Sequence, residues 1–243
     1  MKKIYALAFM LILSVSVFAQ EEEDKFDMSV SLNSDIFFGF YPFFAGSYGS
    51  GPVDFTFYGI LWSGGDSRPA GNFGNWTEFG LGLGFEAGDA LYINPQLGFL
   101  NGTLTSGAPA PVLFEGLVPN LTVGLDTDAL EGEFYFGYYA GLDHGAPTAN
   151  FIHYWINAGY KLSPFLSLGL HFEQLDYAGG NEAGDDAGYS FYQSVGPYIQ
   201  LSDPKGGAFA RFTTGGDLRS DEAVAKSGWQ QSSFYKLAVG YSF

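Results

Sequence analysis

The chain contains no cysteine in its 243 residues, which excludes a disulfide framework, a thiolate metal site and lipidation on cysteine. It is also poor in cations, with 10 Lys and Arg against 26 Asp and Glu. A surface so acidic repels a phosphate backbone, which argues against nucleic acid as a partner. Past the first twenty residues, no stretch holds the 18 or so consecutive apolar residues of a membrane helix. A chain of this kind enters a bilayer only as a closed sheet, which satisfies its backbone groups without a helix. Metal-spaced His clusters, Gly-rich phosphate loops and nucleotide motifs are missing as well, so the reading includes no cofactor and no metal.

What the chain has in quantity is glycine and aromatic residues: 35 Gly, 25 Phe, 16 Tyr and 4 Trp. That composition points to an all-β protein. The N-terminus reads differently. Met1-Lys2-Lys3, an apolar run from Ile4 to about Phe18 and the small residue Ala19 before Gln20 fit a cleaved secretory signal over residues 1–19. Its removal takes the formal charge from −16 to about −18. The run Glu21-Glu22-Glu23-Asp24 marks a solvated lead-in over residues 20–26, and one domain without a linker occupies 27–243.

Within that domain the dominant signal is alternation with period two. Between Trp76 and Glu86, the residues Thr77, Phe79, Leu81, Leu83 and Phe85 fall on one face, and Glu78, Gly80, Gly82 and Gly84 on the other. Similar patterns predict strands at 53–62, 91–99, 112–125, 134–142, 151–162, 166–172, 190–201, 208–214 and 235–243. Tight turns at Ala87-Gly88-Asp89, Asp126-Thr127-Asp128, Ser163-Pro164 and Asp203-Pro204-Lys205-Gly206 alternate with longer loops near 101–110, 177–188 and 215–231. The stretch from Phe37 to Phe44 is aromatic on both faces and contains Pro42, which predicts a turn nearby. Alternation of turns and loops then requires two strands between Met28 and Tyr48, for about twelve in all, or ten if one weak early strand is not real.

The last strand carries the most specific signal. Tyr235, Leu237, Val239, Tyr241 and Phe243 share one face, and Lys236, Ala238, Gly240 and Ser242 the other. This segment closely resembles the C-terminal assembly signal of Gram-negative outer-membrane β-barrels, with polar Lys236 and the closing aromatics Tyr241 and Phe243; Ala238 stands where that signal usually has Gly. The resemblance implies a single closed antiparallel transmembrane β-barrel in the outer membrane, exported through the Sec pathway, with membrane lipids and the barrel-assembly machinery as partners. In such a barrel Phe99, Tyr154, Phe172 and Tyr235 fall outward near the extracellular rim, and Phe85, Phe134, Tyr160, Tyr241 and Phe243 near the periplasmic rim. A soluble sandwich alternates in the same way, but its water-facing sides carry many Lys, Glu and Thr, whereas the second face here is mostly Gly, Tyr, Asn, Ser and Gln.

Inward positions include Asp35, Asp54, Glu78, Glu133 and Glu173, the cations Lys161, Arg211 and Lys236, and several Tyr and Trp. A hairpin centred on a loop 143–149 would set Glu133 level with Lys161, a cross-strand pair, and Tyr139 level with Trp155. Across the next turn Asn157 meets His171 and Trp155 meets Glu173. Tyr139, Trp155, Asn157, His171 and Glu173, with Glu78, thus form the candidate lumen site, aromatic faces beside a few hydrogen-bonding groups. Catalytic residues are not assigned: only His144, His153 and His171 are available, no His-x-Ser pair occurs, and Asp143-His144 is a lone loop dipeptide. The acidic segment 181–186 lacks the spacing of an EF-hand. Three functions follow in order of preference: a narrow passive channel for small solutes, a non-conducting surface protein that binds through long outer loops, and an outer-membrane hydrolase.

Overall fold

The computed structural model describes residues 26–49, 51–63, 75–106, 108, 110–142, 145, 147–181 and 188–243. The expected signal peptide, nearly all of the lead-in, Asp143, His144 and the acidic run 182–186 lie outside them. Twelve strands are present among the described residues: β1 (Phe26–Asp35), β2 (Gly39–Gly49), β3 (Asp54–Ser63), β4 (Asn75–Ala87), β5 (Leu91–Gly102), β6 (Val112–Asp126), β7 (Leu130–Gly141), β8 (Asn150–Ser163), β9 (Leu166–Gly179), β10 (Tyr189–Ser202), β11 (Ala208–Asp217) and β12 (Ser233–Ser242). Each pairs antiparallel with its neighbour in sequence, and β12 returns to β1, from Ser29↔Ser242 to Asp35↔Lys236, to close the barrel. Closure leaves no unpaired edge, the condition for burying backbone in hydrocarbon. A ten-residue strand tilted by about 45° rises about 23 Å, close to the height of an outer-membrane apolar band.

The two faces meet different surroundings, as the alternation requires. Phe79, Leu81 and Leu83 are 44–53% exposed on the outer wall, while Glu78, just before Phe79 and on the other face, is buried at 1%. Leu32, Phe55, Leu170, Phe212 and Leu237 extend the same exposed apolar belt around the cylinder. A belt of large apolar side chains on every side suits a wall that faces hydrocarbon, and the protein is a closed transmembrane β-barrel. Phe85, Tyr160, Tyr241 and Phe243 are exposed at the end that carries the tight turns, and Tyr235 at the end that carries the long loops.

Proline and glycine locate the irregularities. Pro95 has no N–H to donate, and the β4–β5 ladder lapses between the Gly82↔Gln96 and Phe85↔Ile93 pairs. Pro119 has the same effect on β6–β7, which lapses between Leu117↔Ala140 and Asn120↔Gly137. Pro42 lies inside β2 rather than in a turn; the turn is Ile36–Phe38, and the β2–β3 ladder begins only at Phe43↔Ile60. The β7–β8 hairpin also differs from expectation. It centres on Gly145, whose φ of +80° suits a residue without Cβ, so Glu133 pairs with Asn157, Tyr135 with Trp155 and Tyr139 with Phe151. The expected Glu133–Lys161 pair therefore does not form. Lys161 instead meets the Asp126 carboxylate at the tight-turn rim.

A helix absent from the sequence reading, α1 (Asp221–Ser227), sits in the last long loop. The Ser220 side chain accepts from Ala223 N at its start, and Gly228 ends it in the left-handed region at φ +65°.

Candidate functional site

The lumen is built in two storeys, and the upper one, towards the long loops, is filled. At the top of β1 the Asp35 carboxylate accepts from Phe37 N at 2.9 Å and Phe38 N at 2.6 Å. This side-chain-to-backbone bonding bends the turn into the barrel. Phe37 and Phe38 are consequently buried, at 3% and 4% exposure. The Phe38 ring packs on Trp62 (4.6 Å between centroids), His153 (5.6 Å), Tyr192 (6.1 Å) and Trp76 (6.3 Å), and Phe37 packs on Tyr192 (4.8 Å).

From the opposite wall the β5–β6 loop also turns inward. The buried Glu115 carboxylate accepts from Leu104 N, Thr105 N and Ser106 N at 2.9–3.0 Å, and Leu104 joins the same apolar cluster. The void left among these rings and Leu175 is about 10 Å³, enough for about one water. The longer loop expected near 101–110 is thus drawn inward at Leu104–Ser106, because a carboxylate inside the wall accepts from three of its backbone N–H groups.

Beneath this plug lies a cavity of about 330 Å³, lined among others by Tyr135, Trp155, Glu133, Asn120, Arg211 and Lys236. Its centre of charge is Glu173 on β9, 4% exposed. One carboxylate oxygen faces His153 Nε2 at 2.9 Å; the other faces His171 Nε2 at 3.0 Å and accepts from Lys236 Nζ at 2.7 Å. Asn157 Oδ1 lies 2.7 Å from His171 Nδ1. Trp155 stacks on Tyr135 at 4.0 Å, lies 5.5 Å beneath the Lys236 ammonium, and donates its indole N–H to Glu133. On the far wall Tyr58 donates to Glu78 Oε1 at 2.6 Å and accepts from Asn120 Nδ2 at 2.8 Å.

Four of the six residues expected from the sequence, Trp155, Asn157, His171 and Glu173, are thus neighbours around one cavity, and the Trp155↔Glu173 and Asn157↔His171 pairs are as expected. Tyr139 belongs to the plug cluster instead, 3.3 Å from the Tyr135 hydroxyl, and Glu78 stands on the opposite wall behind Tyr58. Lys236, expected as part of the terminal assembly signal, points inward and pairs with Glu173; Ala238 also lines the cavity, while Tyr241 and Phe243 are exposed outside. His153 and Asn120 were missed as site residues although parity could have found them. His153 is two residues before Trp155, and Asn120 lies between the outward Leu117 and Leu121 by the same period. The inward turn at Phe37–Phe38 had no comparable signal, since alternation is silent about where a turn folds.

Among solved structures the chain is similar to a KdgM porin, at 13% identity over 88% of this chain and 99% of that one (TM-score 0.47). A NanC porin aligns at 9% identity over 89% and 98% (TM-score 0.49), and a further porin at 11% over 84% and 62% (TM-score 0.46). No curated protein matches the sequence. The match that spans the whole chain, residues 1–243, is to the model of a family of unknown function, and the chain belongs to that family, DUF6733.

Proposed function

We propose that this barrel is a narrow passive channel for small solutes, held shut in this conformation by the aromatic plug and exported through Sec by its N-terminal signal. Its C-terminal strand is what the barrel-assembly machinery reads, and outer-membrane lipids cover its apolar belt. The observation that carries the reading is the polar cavity of about 330 Å³ inside the cylinder. A barrel whose only task is to hold outer loops gains nothing from an unfilled, charged interior, because each buried polar group left without a partner costs about 1–3 kcal/mol. Among the described residues, the backbone segments that turn inward above the cavity are the short turn carrying Phe37 and Phe38 and the β5–β6 loop, packed on wall side chains such as Trp62, Trp76 and Leu175. Movement of a turn needs no change in the strand ladder.

The density of the plug favours a second reading, a barrel that binds in its lumen and does not conduct. Planar-bilayer recordings separate the two. The channel reading expects rare, small steps from the wild type and frequent, larger ones from Phe38→Ala, which removes the ring at the plug's centre. If both proteins are silent while folded, as judged by heat-modifiable migration on gels, the channel reading falls and the non-conducting one stands.

A further inference from the structure

The cavity charges do not cancel in pairs. Lys236 is matched by Glu173 at 2.7 Å, but two other charged groups on the lining have no ionic partner within 4.0 Å among the described residues. Arg211 on β11 uses its Nε–H on Gln200 Oε1 at 2.7 Å and lies 5.0 Å over the Tyr198 ring. The described residues offer no acceptor to its two terminal nitrogens. Glu133 on β7 receives only the neutral indole N–H of Trp155. A third group, Asn120, is buried at 7% exposure, and its Oδ1 has no hydrogen-bond partner. All three face the same cavity.

A half-buried cation, a half-buried anion and an unpartnered amide oxygen around one space are costly when left to themselves. A guest that supplies an anion to Arg211 and N–H donors to Glu133 and Asn120 offsets all three at once. We infer that the cavity binds a small zwitterion of the amino-acid type, its carboxylate on the Arg211 guanidinium, its ammonium towards Glu133 and a side-chain N–H donor towards Asn120 Oδ1, four residues along the ladder from the partner of Glu133. Arg favours a carboxylate because its planar fork donates two parallel bonds. The space of about 330 Å³ corresponds to roughly ten water volumes, which is room for an amino acid. Trp155 does not serve as a stacking platform, since it is already stacked on Tyr135 and roofed by Lys236. The specificity is therefore ionic. This inference deepens the proposed function by naming a solute class, but binding does not require conduction, so it is tested on its own.

The test is titration calorimetry of the full, folded barrel in detergent micelles, with tryptophan fluorescence of Trp155 and Trp62 at the cavity wall as a second readout. L-glutamine is the probe; propionate carries only the anion, ethanolamine only the cation, and glycerol neither. The inference expects glutamine to bind at least ten-fold more tightly than each of the other three. Arg211→Met should reduce glutamine to the level of ethanolamine, and Arg211→Lys should restore part of the difference and show that the fold tolerates change there. Asn120→Leu should weaken glutamine and leave propionate unchanged. Equal affinity for propionate and glutamine, or no binding of glutamine by a folded barrel, overturns the inference. A barrel that binds glutamine but never conducts overturns the channel reading alone.

Discussion

Removing the charge of Glu173 tests the account of the lumen most directly. The carboxylate is 4% exposed and faces three nitrogens, Lys236 Nζ at 2.7 Å, His153 Nε2 at 2.9 Å and His171 Nε2 at 3.0 Å. Glu173→Gln keeps the shape and leaves the Lys236 ammonium in the barrel interior without its counter-ion. Breaking one side of a buried pair costs about 3–5 kcal/mol, a large part of the 5–15 kcal/mol by which a typical domain is stable. With a urea dependence of about 1–3 kcal/mol per molar, the unfolding midpoint in micelles should fall by at least about 1 M.

The second half of the prediction is recovery. Replacing both members of a buried pair by groups without charge is often neutral, so Glu173→Gln with Lys236→Met should return most of the loss. The coupling between the two sites should exceed about 2 kcal/mol, within the range of residues that share one network. A single variant that unfolds at the wild-type midpoint, or a double variant no better than the single, would refute the view that Glu173 and Lys236 hold each other in place.

Three further outcomes follow from the geometry. A Cβ added at Gly80 would stand 2.0 Å from a Tyr58 ring carbon, and that ring is fixed by Glu78 and Asn120, so Gly80→Ala should lower stability by about 1–3 kcal/mol. Gly124→Ala, whose added Cβ has nothing nearer than 4.0 Å, should not, and thermal unfolding of the pair compares them. Glu115→Ala deprives Leu104, Thr105 and Ser106 of their acceptor and should raise amide hydrogen exchange there by ten-fold or more, the β5–β6 ladder staying protected. Arg219, whose buried side chain pairs with Asp217 and donates to Phe191 O and Ser227 Oγ, ties α1 to the barrel; Arg219→Ala should open the 218–232 loop to added protease without changing the strand content by circular dichroism.

The barrel itself was legible from residues. Alternation at Thr77–Phe85 and Tyr235–Phe243 sorts side chains between two environments, and a period-two signal survives any error in a turn because each strand carries it locally. The strand count followed from the alternation of tight turns and long loops, and the neighbouring of Trp155 with Glu173 and of Asn157 with His171 followed from the tight Ser163-Pro164 turn, which leaves little freedom in register. Across the longer 142–149 loop the same reasoning misplaced the register, since the loop turns at Gly145, earlier than expected, and Glu133 met Asn157 rather than Lys161.

What tertiary structure alone decided is what fills the cylinder. Parity puts Glu78, Trp155 and Lys236 on the inner face, but it assigns no partner across a lumen, where contacts join strands far apart in sequence, as Glu173 and Lys236 are. Nor does it tell an open pore from a closed one, because that depends on a short turn and a loop folding inward, each held by a single carboxylate, Asp35 and Glu115, that accepts backbone N–H groups. The wall is a local property of each strand and can be read along the chain; the interior is a property of closure and exists only once β12 has met β1.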